Sequence, residues 1–219
     1  MLMKIFSTAL LAATLLLTAC GQKLPEVDAD KAVTAYAQLY TCGTIDDELR
    51  PAVNLSDADI AQARAQLVKV LTDAVEKYPL ADETIDAIAK KLLDRLHSIM
   101  DITATLKDGD SAHPTVELVV TSINLDFVKS FAAEDDDVVA LKSRIDELHV
   151  QGVTDDELKA DPEVQKLALD AIGGFVGEIF LNAEATILVP CKIVTGADGK
   201  LYWQPEDVQS IARFISGQQ

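Results

Sequence analysis

The sequence is poor in aromatic residues and in the side chains that most often perform catalysis. It contains one tryptophan, four tyrosines and six phenylalanines, with only three histidines and three cysteines among 219 residues. Active sites usually combine a histidine, an activated nucleophile or a metal cluster in one pocket. The composition therefore disfavours catalysis, and a single tryptophan disfavours an aromatic platform for stacking sugars.

Basic residues are scarce as well. The chain has 19 lysines and arginines against 36 aspartates and glutamates, which gives a net charge of −17 at pH 7. Nucleic acids and anionic lipid headgroups are bound by basic surfaces, so neither is expected as a partner. We expect the acidic excess to serve solubility, and a basic partner is the alternative.

No apolar stretch in the sequence is as long as the roughly 20 residues that span a membrane as a helix. The longest, Ile5 to Leu17, has 13 residues and follows Lys4, which is the pattern of a secretory signal. The segment Leu17-Thr18-Ala19-Cys20 resembles the lipobox of bacterial lipoproteins, whose cysteine receives diacylglycerol before cleavage. Cys20 is therefore the predicted lipid attachment site. The alternative is an ordinary signal peptide, or a buried N-terminal helix, with a chance cysteine.

This interpretation divides the chain into a lipoprotein signal peptide at 1–19, a lipid anchor and tether at 20–28, and a single α+β domain at 29–219. Two or three acyl chains such as palmitate hold a protein stably, because each buried methylene contributes about 0.8 kcal/mol. The tether reaches less than about 30 Å. We therefore expect the domain to lie close to the cell membrane or outer membrane, facing outside the cytoplasm.

Apolar residues at spacings of three and four predict helices in the first third of the domain. Gly43 is a natural stop for the first helix, and Ser56 caps the second, with Asp59 as the capping-box acid. From Met100 the period changes to two, which indicates strands. The predicted elements are helices at 28–42, 56–78 and 82–99 and strands at 100–107 and 115–125, with a turn at 108–110.

The second half alternates between the same two patterns. Pro190 lies inside a predicted strand, which suggests an edge strand or a bulge, and Asp198-Gly199 is a two-residue hairpin signal. The predicted elements are helices at 127–149, 162–182 and 205–216, a charge run at 134–137, and strands at 184–195 and 201–203. This order predicts an α+β fold with N-terminal helices packed on one antiparallel sheet of about four strands, and further helices inserted.

Three segments, AVTAYAQLY, LSDADIAQARAQL and DGKLYWQPEDV, together with the lipobox, carry a family resemblance. The chain resembles uncharacterised bacterial lipoproteins whose domain is similar to the cystatin and nuclear-transport-factor-like folds. The resemblance covers most of 28–216 and brings no catalytic residues. It implies a concave sheet that could hold a small-molecule ligand or a protein partner.

Two constellations suggest chemistry. Gly109-Asp110-Ser111, with Asp146 and His149 downstream, is similar to the ends of an esterase triad. However, a strand follows Ser111 at once, so a turn and a helix end are the preferred interpretation. Asp94, His97 and Asp101 share one side of a helix and could ligate a metal, but a solvated helix face is favoured.

The loop Asp108-Gly109-Asp110 lacks the further oxygen ligands of an EF-hand. No metal site and no cofactor are therefore predicted.

Cys42 and Cys191 are the two thiols that remain once Cys20 is acylated. Export would allow a disulfide to persist. Cys191 shares its side of the predicted strand with Ile187, Val189 and Ile193, so it should face the core. The sequence leaves two alternatives open, a bridge between the two residues or two separate buried thiols.

These observations favour a lipid-anchored, non-enzymatic domain for binding or envelope interaction, whose only contact with the membrane is the N-terminal lipid. The alternative is a surface-anchored enzyme of unrecognised type, such as a hydrolase.

Overall fold

A computed structural model describes residues 23–73, 75–110, 112–123, 135–177 and 181–215. These residues form seven α-helices and one four-stranded antiparallel sheet, so the predicted fold class is confirmed. In chain order the elements are α1 (Ala29–Cys42), α2 (Asp57–Thr72), α3 (Asp82–Ile99), β1 (Ile102–Asp110), β2 (His113–Ile123), α4 (Asp136–Val150), α5 (Asp155–Ala160), α6 (Pro162–Gly177), β3 (Leu181–Thr195), β4 (Leu201–Pro205) and α7 (Val208–Ile215), with a 3₁₀ turn at Arg50–Ala52.

Local sequence determines where several helices begin and end. Gly43 ends α1 in the left-handed region, at φ 67°, and its N–H donates to the carbonyl of Leu39. The capping box predicted at α2 is confirmed, because the Ser56 hydroxyl accepts from the Asp59 N–H and the Asp59 carboxylate accepts from the Ser56 N–H. Such caps satisfy backbone groups that the first helical turn leaves unpaired.

The sheet has the order β1-β2-β3-β4 with every neighbouring pair antiparallel. On one face, Leu106 lies opposite Val116, which in turn lies opposite Val189. The register of β1 shifts between Leu106 and Asp108, where Lys107 is the extra residue. This shift is a β-bulge, a common feature of an edge strand.

Pro190 lies neither on an edge strand nor at a bulge. The pairing of β3 with β2 ends at Pro190, and its pairing with β4 begins at the next residue, Cys191. Proline lacks an N–H, but its carbonyl accepts from the Glu206 N–H at 2.9 Å. The strand therefore changes partner at the one residue that cannot donate to a ladder.

One face of the sheet is covered by α1, which packs against β1, β2, β4 and α7. Together these elements bury what we call the sheet core. Its fully or nearly fully buried members include Val33, Tyr36, Leu39, Val116, Leu118, Val120, Val189, Cys191, Trp203 and Ile211.

A second hydrophobic cluster, which we call the helical core, lies between α3, α4, α5 and α6. Its central helix is α6, which packs against each of the other three. Its buried members include Leu80, Ile88, Leu96, Leu141, Leu158, Val164 and Ala168. Met100 is half-buried and packs against both cores, so it joins them.

Several predicted boundaries are wrong. Helix α2 ends at Thr72 and not before Pro79, β1 continues to Asp110 through the predicted turn, and α6 ends at Gly177, so that Leu181 and Asn182 belong to β3. The first part of the helix predicted at 127–149 lies outside the described residues. Its charge run begins α4, because Asp135 accepts from the N–H groups of Asp137 and Val138.

The β3–β4 connection also differs from the two-residue turn expected at Asp198-Gly199. Five residues, 196–200, separate the strands. Gly196 donates to the Lys200 carbonyl at 2.8 Å, and Gly199, at φ 79°, donates to the Gly196 carbonyl at 2.9 Å. This is the three-residue hairpin loop in which a left-handed glycine closes a type I turn.

Candidate functional site

The second face of the sheet is the most extensive candidate binding surface. Side chains of a strand alternate between faces, so the neighbours of the buried sheet-core residues point the other way. In the part of the chain that the structure describes, no helix packs on this side. We call it the open face, and its members are Thr103, Thr105, Lys107, Thr115, Glu117, Val119, Thr121, Glu184, Thr186, Leu188, Pro190 and Lys192.

The open face is rich in threonine and has one prominent apolar side chain. Five of its members are threonines, and Leu188 of β3 is 63% exposed, far more than an apolar residue in a covered sheet. Glu117 and Thr105 lie in the same row as Leu188 across the three strands. β-branched residues such as threonine favour strand formation. On the open face they also expose hydroxyl groups to solvent beside Leu188.

Charge on the open face is distributed unevenly along the strands. Lys107 and Lys192 lie toward one end, whereas Glu184 and the adjoining Asp101 lie at the other. Glu117, near the middle, forms an ion pair with Lys107 at 2.9 Å. The register also pairs Asp108 with Thr115 and Asp110 with His113 at the lysine end, so these five groups are not the only charged residues along this face.

Cys20 lies outside the described residues, while Cys42 and Cys191 are both buried free thiols in this structure. Cys191 packs in the sheet core beside Val189, as predicted. Burial, with a smaller contribution from Asp46 and Glu206 respectively, raises the pKa of the Cys42 and Cys191 thiols to about 12. The bridge between them stays a prediction.

A cluster that the sequence analysis did not identify surrounds the end of α1. The Gln38 amide donates to the Asp46 carboxylate at 2.6 Å, and the His97 Nε2 lies 3.9 Å from the other Asp46 oxygen. Cys42 is close enough for Asp46 to raise its pKa. A reactive cysteine needs a lowered pKa, so this Cys, His and Asp grouping does not supply an activated nucleophile.

The predicted metal-ligand candidates do not converge. Asp94 forms an ion pair with Lys90. His97 lies 3.9 Å from Asp46 of the loop that follows α1, and Asp101 is exposed before β1. Among the described residues, no group of three or more His, Cys, Asp or Glu side chains is placed to hold a metal ion.

Only part of the esterase-like constellation lies in the described residues. Ser111 lies outside the described residues, and Asp108 to Asp110 belong to β1. His149 contacts Asp155 of α5, with Nε2 to Oδ1 at 2.9 Å, and Asp146 is exposed on α4. His149 therefore links α4 to α5 through Asp155.

A groove of about 490 Å³ lies at the surface beside α4 and α6, lined by Arg144, Val164, Leu167 and Asp170, among others. Three of its charged groups are already in ion pairs: Arg144 pairs with Glu147 at 3.4 Å, and Asp170 pairs with Lys166 at 2.9 Å. A ligand that recruited one of these three groups would have to break an existing ion pair.

The helices that the structure describes include none long and apolar enough to cross a membrane. No family model matches the sequence, and no curated protein is similar enough to count as a match. Among solved structures, the chain matches the crystal structure of a "putative lipoprotein (ycdA)" from Bacillus subtilis, with a TM-score of 0.56 and 15% identity. The match covers 85% of this chain but 54% of that one, so this chain spans about half the length of that protein. At this identity the likeness shows a shared fold.

Proposed function

We propose that this protein is a lipid-anchored, extracytoplasmic lipoprotein whose α+β domain is a non-enzymatic module for binding or envelope interaction. The anchor is Cys20, in the Leu17-Thr18-Ala19-Cys20 segment behind a 13-residue apolar run. The fold shared with a "putative lipoprotein" supports the assignment. The finer resemblance to cystatin-like domains belongs to the same proposal.

The tether constrains where the domain works. Val27 is half-buried against the sheet core, so the folded part begins there. The seven residue steps from Cys20 to Val27 span less than about 25 Å. A domain held so close to a bilayer has access to other envelope components at the same surface, which suits a binding role.

The observation that carries the binding role is the open face. It is a broad sheet surface, free of any described helix, in which Leu188 is 63% exposed. A sheet with one bare apolar side chain and rows of hydroxyls can accept a flat protein surface or a ligand with an apolar edge. The enzyme alternative has no comparable support, because His149 contacts Asp155 and the pKa of Cys42 is raised.

The anchor is tested by Cys20→Ser in the full chain, expressed in a bacterium, with Cys42→Ser as the matched control. We expect Cys20→Ser to abolish the diacylglyceryl mass on the N-terminal peptide and to leave the chain uncleaved or released from membranes. Cys42→Ser should leave both lipidation and fractionation unchanged. An unmodified Cys20 in the wild-type mature protein would refute the anchor.

The binding role is tested by placing a photo-crosslinking amino acid at Thr186 on the open face and, as the control, at Val150, which is 90% exposed on α4. We expect discrete crosslinked species in intact cells from position 186 and none from position 150. Equal, diffuse labelling at both positions would contradict the assignment of the open face.

A further inference from the structure

We propose that Met100 is a site of oxidative modification at the joint between the two cores, and that converting its thioether to a sulfoxide separates the unfolding of the helical core from that of the sheet core. The inference does not depend on the lipid anchor or on the open face. Three observations support it: the position of Met100 between the cores, the fixed backbone on both sides of it, and the scarcity of methionine in the chain.

The chain crosses from one core to the other at Met100. Ile99 packs against the helical core, and Ile102 packs against the sheet core. Met100 packs against both, and among the described residues it is the one apolar side chain that the two cores share. A chemical change at this side chain therefore acts directly on the contact between the cores.

The backbone around Met100 is held on both sides. The Met100 N–H donates to the Leu96 carbonyl at 2.9 Å, which closes the last turn of α3. At the next residue, the Asp101 N–H donates to Thr121 Oγ1 at 3.1 Å, and the Asp101 carbonyl accepts from the Thr121 N–H at 3.3 Å. The Met100 side chain therefore cannot leave the two cores through a backbone shift unless these hydrogen bonds break.

Oxidation changes what this side chain can do in an apolar contact. The thioether is flexible and apolar and fills irregular gaps, whereas the sulfoxide is polar and disrupts cores. In the reaction, the sulfur donates an electron pair to one oxygen of hydrogen peroxide and the O–O bond breaks. The proton on the transferred oxygen passes to the departing hydroxide, which leaves as water. A sulfoxide oxygen that stays between two apolar clusters without a hydrogen bond is unfavourable.

The composition directs a small oxidant to this position. Met100 is half-buried, so part of its side chain is open to solvent. The other two methionines, Met1 and Met3, lie in the predicted signal peptide. Cys42 and Cys191 are buried, and their raised pKa of about 12 leaves little of the thiolate with which peroxide reacts.

The experiment uses the full chain in mild detergent, with Cys20→Ser in every variant so that neither a lipid nor the third thiol contributes. The chain with Met100 is compared with Met100→Leu, which removes the sulfur and keeps an apolar side chain. A second control combines Met100→Leu with Val150→Met, which moves the thioether to a position that is 90% exposed on α4. Each variant is treated with hydrogen peroxide, and peptide mass spectrometry measures the oxygen added at positions 100 and 150.

Urea unfolding is then followed by Trp203 fluorescence, which reports on the sheet core, and by far-ultraviolet circular dichroism, which is weighted toward the helices. We expect the two midpoints to coincide before treatment. After oxidation at Met100 they should separate by at least about 0.5 M urea, because each core then unfolds without the other. Both control variants should keep coincident midpoints after the same treatment.

Four results would overturn the inference. Met100 could gain no oxygen in the folded chain under conditions that fully oxidise the methionine placed at position 150. The oxidised chain could keep coincident midpoints, whether unchanged or lowered together. A control variant could show the same separation as the chain with Met100. Two separate transitions before treatment would leave no joint for oxidation to weaken.

Discussion

Removing one buried leucine tests whether residues 29–219 unfold as a single domain. Leu96 of α3 is 1% exposed and packs in the helical core, while the only tryptophan, Trp203, is 6% exposed in the sheet core. The two cores are joined through Met100 and the contact of α1 with α3. We predict that Leu96→Ala lowers the urea midpoint of unfolding by the same amount whether unfolding is followed at the helical core or at the sheet core.

The magnitude follows from burial. Replacing a fully buried leucine with alanine costs about 2.7 to 5.0 kcal/mol, because the lost transfer free energy is increased by the cavity left behind. With a urea m-value of about 2 kcal/mol/M, the midpoint of unfolding should fall by about 1.3 to 2.5 M. Leu118→Ala in the sheet core, where Leu118 is fully buried, should produce a shift in the same range.

The assay follows urea unfolding with two probes in the same samples. Tryptophan fluorescence reports on Trp203 in the sheet core, and far-ultraviolet circular dichroism is weighted toward the helices, four of which build the helical core. A single domain requires the two transitions to coincide in the wild type and to move together in Leu96→Ala. Leu118→Ala is the reciprocal control and should move both probes as well.

One outcome would refute the reasoning. If Leu96→Ala shifted the dichroism transition while the fluorescence midpoint of Trp203 stayed at the wild-type value, the two cores would be independent folding units. The boundary would then lie near Met100, the residue that both cores share. The contacts that join them would contribute little to the free energy of unfolding.

Three further predictions concern backbone, thiols and pH. Gly173→Ala should stabilise the protein by about 0.5 to 1 kcal/mol, because the new Cβ meets only the flexible end of a lysine side chain. Gly43→Ala should destabilise the protein by about 1 to 2 kcal/mol, because Gly43 has a φ of 67°. Thermal melts measure both changes. Burial raises the pKa of Cys42 and Cys191 to about 12, so both thiols should react with maleimide only after unfolding. If they stayed unreactive in urea without reductant, they would be joined in a disulfide. Hydrogen bonds from the N-cap serine hold the pKa of Asp59 below its usual value, so its contribution is present above the unfolded-state pKa and is lost as pH falls through the folded-state pKa. Asp59→Asn should therefore lower the melting temperature at pH 7 and flatten its acid dependence, and an unchanged acid dependence would exclude a contribution from this group.

Much of the secondary structure could be predicted because it depends on local chemistry. Gly43 ends α1 since only glycine enters the left-handed region without strain, and Ser56 with Asp59 begins α2 through bonds that span three residues. Predicted boundaries were wrong where no local signal marks them. The apolar periodicity of α2 continues past Thr72 toward Pro79, but the helix ends at Thr72, and the sequence shows no breaker at that point.

At the candidate site, too, some features could be predicted from local sequence and others could not. The lipobox at Cys20 is a short linear motif, so the sequence alone can identify it. The contact of Asp46 with His97, a residue of the distant helix α3, depends instead on the tertiary structure. The family resemblance implied a concave sheet that could hold a ligand or partner. It could not show that the bare face has Leu188 midway between opposite charges, because that depends on the pairing of three strands.

By itself, the sequence determined the fold class, most helix starts and the predicted membrane anchor, since these follow from periodicity, caps and a contiguous motif. The tertiary structure alone decided that Pro190 lies where β3 changes partner, and that the apolar residues divide between a sheet core and a helical core. It also decided which sheet face stays uncovered. Alternation along a strand distinguishes two faces, but only the packing of α1 and α7 determines which of them is buried.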